Sequence, residues 1–497
     1  MTPAQADPGT DGLVGRVADL CWRAVDRLPA DAVPAVRAAA RGLFQPLRLA
    51  FVGRVSSGKS TLVNAFLGYP VAATDEGECT KKVTWLSFGA ANGAWARTYD
   101  GGRVPFAFAE DRSLPEKLVS VEARMVESIE VQLSLERLRG TTLIDTPGLN
   151  SLDEDNSLQT VRFLGIDEGS RAAARTADAI LFVLNSQVHE DEEAVLSQFR
   201  STSFGLHAEP ANALGVLAKA DEVTMDAAGA WREAARLAAN HSRRLSRSVA
   251  KVVPVIGLLA ETAACNFSEP DAAAVRSLAA LDDNARDDAL MEIESFSEWT
   301  GDSEPRRWEG LWKRLRRVGL TALLELGPQA SAPAMVRTLR QCSGVDALEQ
   351  EVDRRFHSRS HALKADRALA TLRQSVSGSA VDVATRRLVN RAIDDLSIDP
   401  AMHPLEELRA MSVIASGRAG FTDQDAEDAL GVLGYPDPLH RMEVIGATGE
   451  GGAAAAAAEI SRWLMLSNTV LSVPGRSAAR VVARSVELCV ERMQGES

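Results

Sequence analysis

Apolar positions recur at two different periods along the chain. Up to residue 46 they return every three to four residues: Leu13, Val17, Leu20 and Ala24 follow Asp11, and a second run opens at Asp31 and ends near Phe44. This spacing predicts two helices, with Asp11 and Asp31 as N-caps. Leu47-Arg48-Leu49-Ala50-Phe51-Val52 then reads as a strand. From there to about residue 260 short apolar runs alternate with helical stretches. The clearest runs are Thr142–Ile144, Ala179–Leu184, Leu214–Leu217 and Val252–Ile256. Such alternation predicts an α/β fold with a mostly parallel sheet.

Beyond residue 262 the strand signal fades and helical spacing takes over. Val345, Leu348, Val352, Phe356 and Leu363 mark one face of a helix that would reach Val376 and span about 48 Å if continuous. Further helices are expected at 379–396, 403–415, 422–433, 453–471 and 475–494, with Thr422 and Asp425 as a capping box. Residues 282–304 carry nine acids against Arg286 alone, and a basic segment from Arg306 to Arg317 follows. Trp308 and Trp312 within it suit either an interfacial helix or a helix packed on the α/β part with its arginines paired to the acids. The packing reading is preferred. His357 and His361, four apart beside Arg355 and Arg359, read as a solvated helix face, because no carboxylate or cysteine completes a metal site.

Composition narrows the classes. With 45% hydrophobic and 25% charged residues in 497, the chain is an ordinary globular protein of roughly three units. The 55 Lys+Arg and 68 Asp+Glu leave a net charge of -13, which disfavours a protein that coats nucleic acid or anionic lipid. Five scattered cysteines without a C-x-x-C pair point to reduced thiols. No run approaches the ~20 apolar residues of a membrane span, and the first thirty residues lack a signal core. The expected location is cytoplasmic, with any membrane contact peripheral.

The candidate chemistry begins at Gly53-Arg54-Val55-Ser56-Ser57-Gly58-Lys59-Ser60, a complete G-x-x-x-x-G-K-S phosphate loop between a strand and a helix opening at Thr61. Its amides and helix N-terminus meet phosphate charge; Lys59 suits the β- and γ-phosphates and the Ser60 hydroxyl suits Mg²⁺. Asp145-Thr146-Pro147-Gly148 closes an apolar strand, which puts a carboxylate in reach of the same Mg²⁺ and a glycine amide near the γ-phosphate. Lys219 and Asp221, in Ala218-Lys219-Ala220-Asp221, fit guanine. The carboxylate accepts from its N1 and N2 donors and the lysine stem covers the base plane; a plain exposed loop is the competing reading. Thr80, in Glu78-Cys79-Thr80-Lys81-Lys82-Val83, is the candidate switch threonine that binds Mg²⁺ and feels the γ-phosphate.

These four elements together resemble a dynamin-like GTPase. The likeness is close at Ser56–Ser60, at Cys79-Thr80-Lys81-Lys82-Val83 and at Asp145–Gly148 followed by Leu149. It extends, toward the actinobacterial isoniazid-inducible type, through Val83-Thr84-Trp85, Val252–Leu259, Ser343-Gly344-Val345 and Leu405–Met411. The resemblance implies a GTPase domain over 47–262, a helical insertion or neck over 263–342, and a helical neck and trunk over 343–497 to which 1–46 contribute. It implies GTP as substrate, Mg²⁺ as cofactor, and nucleotide-dependent self-association of heads or hetero-assembly with another dynamin-like protein. Peripheral contact with an anionic membrane at the inner face of the cell membrane is implied as well. Ser56 resembles the serine that positions the attacking water. Two departures stand out: Val55 replaces a glutamine that helps place that water, and Ala218 replaces Asn or Thr. They favour the alternative of a slow or non-hydrolysing GTP-dependent scaffold. Loops 416–421 and 445–452 are candidate trunk tips.

Overall fold

The computed structural model describes residues 8–72, 82–109, 113–115, 122–148, 176–185, 210–223, 227–286, 305–378, 380–449 and 451–495. Its centre is a nine-stranded sheet of β1 (Leu47–Gly53), β2 (Val83–Phe88), β3 (Gly93–Thr98), β4 (Arg103–Phe106), β5 (Val126–Leu133), β6 (Thr141–Asp145), β7 (Ala179–Leu184), β8 (Ala213–Leu217) and β9 (Val252–Pro254). The order is β4-β3-β5-β2-β6-β1-β7-β8-β9. Strands β6, β1, β7, β8 and β9 run parallel, whereas β2 meets β6 and β3 meets β4 and β5 antiparallel. Sequence explains the division. Every residue of β7 and β8 is buried, as expected of strands covered on both faces, while β3 and β4 alternate like a sheet with one open face.

Helices surround this sheet: α1 (Pro8–Val25), α2 (Val33–Gly42), α3 (Lys59–Leu67), α4 (Ala227–Arg244), α5 (Gly257–Glu261), α6 (Glu269–Ala279), α7 (Pro305–Leu324) and α8 (Ala332–Ser343). The chain continues through α9 (Val345–Val352), α10 (Ser360–Ser377), α11 (Val383–Ser397), α12 (His403–Ala415), α13 (Asp423–Gly434), α14 (Pro438–Val444), α15 (Gly452–Thr469) and α16 (Val473–Gly495). Among the described residues no helix is long and apolar enough to cross a membrane.

Several expectations need correction. Asp11 lies inside α1, and α2 opens after Ala32 without a side-chain cap. The long helix from Val345 is broken at Ser358–Arg359. There Arg359 turns inward and donates to the Arg354 and Leu433 carbonyls and to Glu407, so its helix start has no side-chain cap of its own. The predicted Thr422 cap is present, accepting from the Asp425 amide at 3.1 Å. Helix α14, opened by Asp437 before Pro438, had no counterpart in the periodicity.

Trp308, Leu311 and Leu315 of α7 are buried in one cluster with Ala220, Ile256 and Leu259, in line with the packing reading of that basic helix. Its Arg314 pairs with Asp271 of α6 at 3.0 Å. Acidic residues 287–304 lie outside the described residues. His357 is only partly exposed, and both of its ring nitrogens are engaged. Its ring bridges the Thr141 hydroxyl and the Asp353 carboxylate, each at 2.6 Å, across the seam between β6 and the start of the helical region.

Candidate functional site

Pairing β1 with β6 and, through β7, with β8 brings three C-terminal strand ends to one edge, where open α/β sheets hold their ligands. Gly53 closes β1 where a side chain has no room: a Cβ would lie 2.4 Å from the Val183 carbonyl oxygen and 2.9 Å from Ser57 Oγ. The loop then turns through two left-handed residues, Ser56 at φ 59° and Gly58 at φ 90°. Ser56 adopts a conformation that costs a non-glycine residue about 1–3 kcal/mol and that clusters at ligand clamps. α3 begins at Lys59, so its unpaired amides face the loop.

Lys59 is buried, and its ammonium donates to the Gly53 carbonyl at 3.1 Å and the Arg54 carbonyl at 2.8 Å. Burial pulls its pKa down and the Asp145 carboxylate pulls it back up. Ser60 Oγ donates to Asp145 Oδ2 at 3.3 Å. Burial pushes Asp145 up to about 6, opposed by Lys59 and by the Ser60 hydrogen bond. Asp145 Oδ1 and Ser57 Oγ are buried with no hydrogen-bond partner among the described residues. Orphaned acceptors beside a buried ammonium are what a site for a cation and phosphates leaves when it stands alone.

The turn after Asp145 is tied to β1, with Thr146 Oγ1 donating to the Phe51 carbonyl at 2.7 Å. Gly148 lies against the phosphate loop: a Cβ there would meet Val55 Cγ2, Cα and N at 2.6, 2.7 and 2.8 Å. Val55, where the resemblance has a glutamine, thus offers an apolar side chain next to Gly148. Thr80 and its neighbours 73–81 lie outside the described residues.

Ala218, Lys219 and Asp221 follow β8. The Ala218 carbonyl accepts from the Gly257 amide at 2.9 Å, and Ala220 N donates to the Val255 carbonyl at 3.3 Å, so β9 and α5 support this loop. A Cβ on Gly58 would stand 3.6 Å from Ala218 Cβ, and one on Gly257 would stand 3.7 Å from Thr61 Cγ2; the two loops and the first turn of α3 therefore adjoin. Lys219 pairs with Glu222 at 3.7 Å. Burial raises the Asp221 carboxyl, helped by Glu222 and opposed by its own backbone hydrogen bond, Arg316 and Lys219.

The structure thus gathers Gly53, Ser56, Ser57, Gly58, Lys59, Ser60, Asp145 and Gly148 at the C-terminal ends of β1 and β6, with Thr61, Lys219 and Asp221 alongside. Sequence reasoning missed Asn64. Its amide donates to the Ala72 carbonyl at 3.0 Å and to Glu261 at 2.7 Å, and its oxygen accepts from Ala72 N at 2.7 Å. This clamp fixes the exit from α3 to α5, and the available signal was an asparagine on the apolar face of the helix that follows the loop. Arg316 was also missed. It breaks α7 at φ 54°, and its charge reaches Asp221.

The chain is similar in sequence to known proteins. The Dynamin family sequence model matches residues 49–203, short of the loop at Lys219 and Asp221. Isoniazid-induced protein IniC from two strains of Mycobacterium tuberculosis is 31% identical over 468 residues, 90% of this chain and 90% of that protein. Among solved structures, a bacterial dynamin pair, described as oligomerised and as a mechanism for long-range sensing and tethering of membranes, matches at TM-score 0.36 and 12% identity, covering 98% of this chain and 92% of that one. LeoA, a bacterial dynamin GTPase from ETEC, matches at TM-score 0.27 and 14% identity over 98% and 95%. With an intact phosphate loop on a mostly parallel sheet and 31% identity to IniC over 90% of both chains, the chain belongs to the bacterial dynamin-like GTPases.

Proposed function

We propose that the chain hydrolyses GTP with Mg²⁺ and couples nucleotide-dependent assembly to peripheral membrane binding, tethering or remodelling. The observation that carries the reading is the convergence of Lys59, Ser60 and Asp145 at the ends of β1 and β6, with two buried oxygens left unpartnered. In this reading Ser60, Asp145 and Thr80 hold the metal, which when bound neutralises charge on the β- and γ-phosphates. Lys59 exchanges its two loop carbonyls for phosphate oxygens, and the amides of Gly53–Thr61 and Gly148 surround the phosphates. Asp221 accepts from guanine while Lys219 covers it. Ser56, held left-handed, orients the water that attacks the γ-phosphate in line.

The unit 47–262 acts as the GTPase head, 263–342 as the neck, and 343–497 with 1–46 as neck and trunk. Self-association through heads, or pairing with another dynamin-like chain, completes the site. Steady-state phosphate release from GTP, with ATP and Lys59→Ala as controls, tests the reading. Turnover that rises with protein concentration is expected; absence of GTP-dependent release sinks it. Val55, unable to hydrogen-bond a water beside Gly148, favours the second reading of a slow GTP-dependent scaffold, which would bind GTP equally well but release little phosphate.

For the membrane, the turn between α15 and α16 is the proposed contact. Leu471 is 94% exposed, with Met465 and Val473 also exposed. Ser472 Oγ docks this turn on the Arg418 carbonyl of loop 416–421 at 2.7 Å, which places Arg418 and Arg476 beside the apolar group. An apolar tip flanked by arginines suits the boundary of an anionic bilayer at the inner face of the cell membrane despite the net acidic charge.

A further inference from the structure

A second basic cleft of about 940 Å³ lies at the opposite edge of the sheet from the phosphate loop. It opens where β1 and β6 begin, at Leu47 and Thr141, whereas the phosphate loop follows the far end of β1, about 20 Å along the strand. One wall is head, with Arg137 and Arg139; the other is the start of the helical region, with His357, His361 and Lys364; Phe44 stands at the rim, 66% exposed. Among the described residues no carboxylate lines it. Such a chance collection of charge would be expected to be mixed on a protein with 68 acids and 55 bases.

The cations here are held in ways that an anion could replace. Arg139 pairs with Glu136, a carboxylate that is itself 81% exposed, and its guanidinium lies over the Phe88 ring at 4.1 Å. Arg137 donates to the Phe66 carbonyl at 2.8 Å and to Glu349 at 3.1 Å, which Arg340 also holds. Exposed pairs of this kind contribute little and exchange readily. Lys364 is the opposite case. It is buried, its ammonium donates to the Gln45 carbonyl, and it forms no ion pair among the described residues. Burial depresses its pKa; Asp178 opposes this, and Arg48 and Arg367 add to it. A buried ammonium that pairs directly with no carboxylate among the described residues gains from an anion brought to it. Planar guanidinium forks on the facing wall match phosphate oxygens.

We infer that this cleft is a second ligand site, separate from the nucleotide site, that takes a phosphate-bearing anion and ties the sheet to the helical region. Lys364 is the floor contact, Arg137 and Arg139 grip from the head side, and His357, fixed by Thr141 and Asp353, bridges the two walls. The phosphate comes either from a soluble molecule or from a lipid headgroup. The inference is independent of whether GTP is hydrolysed.

Calorimetric titration of the full chain with inorganic pyrophosphate, in EDTA with saturating GDP so that the phosphate loop is occupied, reads the soluble source. Pelleting with phosphatidylcholine vesicles, with and without phosphatidic acid, reads the headgroup source. Lys364→Met keeps the stem and removes the charge; Arg139→Gln is exposed and keeps the test alive should the first variant fold poorly. Each is expected to weaken the binding it reports on by about tenfold, the loss typical of one charge-assisted contact. Pyrophosphate binding that both variants weaken assigns a soluble ligand, and phosphatidic acid pelleting that both weaken assigns a headgroup. No pyrophosphate binding and no phosphatidic acid dependence, or binding that neither variant alters, overturns the inference.

Discussion

Asp145→Asn is expected to make the nucleotide-free protein more stable while abolishing its function. Asp145 is held in a site that favours its neutral form: burial raises its carboxyl from 3.8 to about 6 even with the Lys59 ammonium and the Ser60 hydroxyl opposing. A folded-state pKa above the unfolded one means the stability is fully present below about 3.8 and is lost as pH rises through about 6. About two pKa units correspond to about 3 kcal/mol above pH 6, since each unit is 1.36 kcal/mol. Asparagine mimics the neutral acid, keeps an acceptor for Ser60 and leaves the Lys59 carbonyl bonds intact. Denaturant melts of both proteins without nucleotide at pH 7.5 are therefore expected to favour the variant by about 1–3 kcal/mol. The advantage shrinks as pH falls toward 4. Adding Mg²⁺ and GDP reverses the order, because ligand stabilises only the protein that binds it. A variant no more stable than the parent at pH 7.5, or an advantage that persists unchanged at pH 4, refutes the reasoning.

Gly148→Ala puts a methyl within 2.6–2.8 Å of Val55, two of the contacts being backbone, so the phosphate loop must shift; GTP turnover is expected to fall at least about tenfold and stability by about 1–3 kcal/mol, measured by phosphate release and melts. Glu407→Gln leaves Arg359 and Arg441 buried without their shared carboxylate, which accepts from them at 2.6 to 3.0 Å. Melts should show a loss of about 3–5 kcal/mol. The carboxyl of Glu407 sits near 2, where the arginines outweigh burial, so this stability is present above about 4.5 and fades as pH drops toward 2. Leu471→Asp is expected to abolish GTP-dependent pelleting with anionic vesicles and to leave turnover without vesicles intact.

The sequence was most legible where local chemistry and tertiary position coincide. The phosphate loop needed glycine at Gly53 and Gly58 for reasons of backbone and space that any strand–loop–helix imposes, and β7 and β8 read as strands because both faces are apolar. It was least legible where a distant side chain overrides local periodicity. The break before α10 follows from Arg359 reaching Glu407 and Leu433, residues 48 and 74 positions away. His357 looked solvated because Thr141, 216 positions away, is invisible to helical spacing. Asn64 and Glu261 meet across 197 positions for the same reason.

The two halves of the proposed nucleotide site differ in what holds them. The phosphate side is self-contained: Lys59 and Ser60 open α3, which follows β1 and its loop directly, and Asp145 ends β6, the neighbour of β1 in the sheet. The base side leans on chain beyond the strands. Ala220 and Ile256 share a buried cluster with Trp308, Leu311 and Leu315 of α7, and the Ile256 amide donates to the Ser343 carbonyl at 2.8 Å at the end of α8. The two non-glycine residues with left-handed backbone among the described residues border this site, Ser56 on the phosphate side and Arg316 on the base side. A change in the position of α7 therefore bears directly on the surroundings of Asp221 and reaches those of Lys59 through α5, whose Leu259 shares the α7 cluster. In the proposed reading, a coupling between nucleotide and helical region through α7 reaches guanine recognition, that is affinity and exchange, through the Asp221 loop, and reaches the phosphates through Ala218 at Gly58 and through α5, whose Glu261 holds Asn64 of α3.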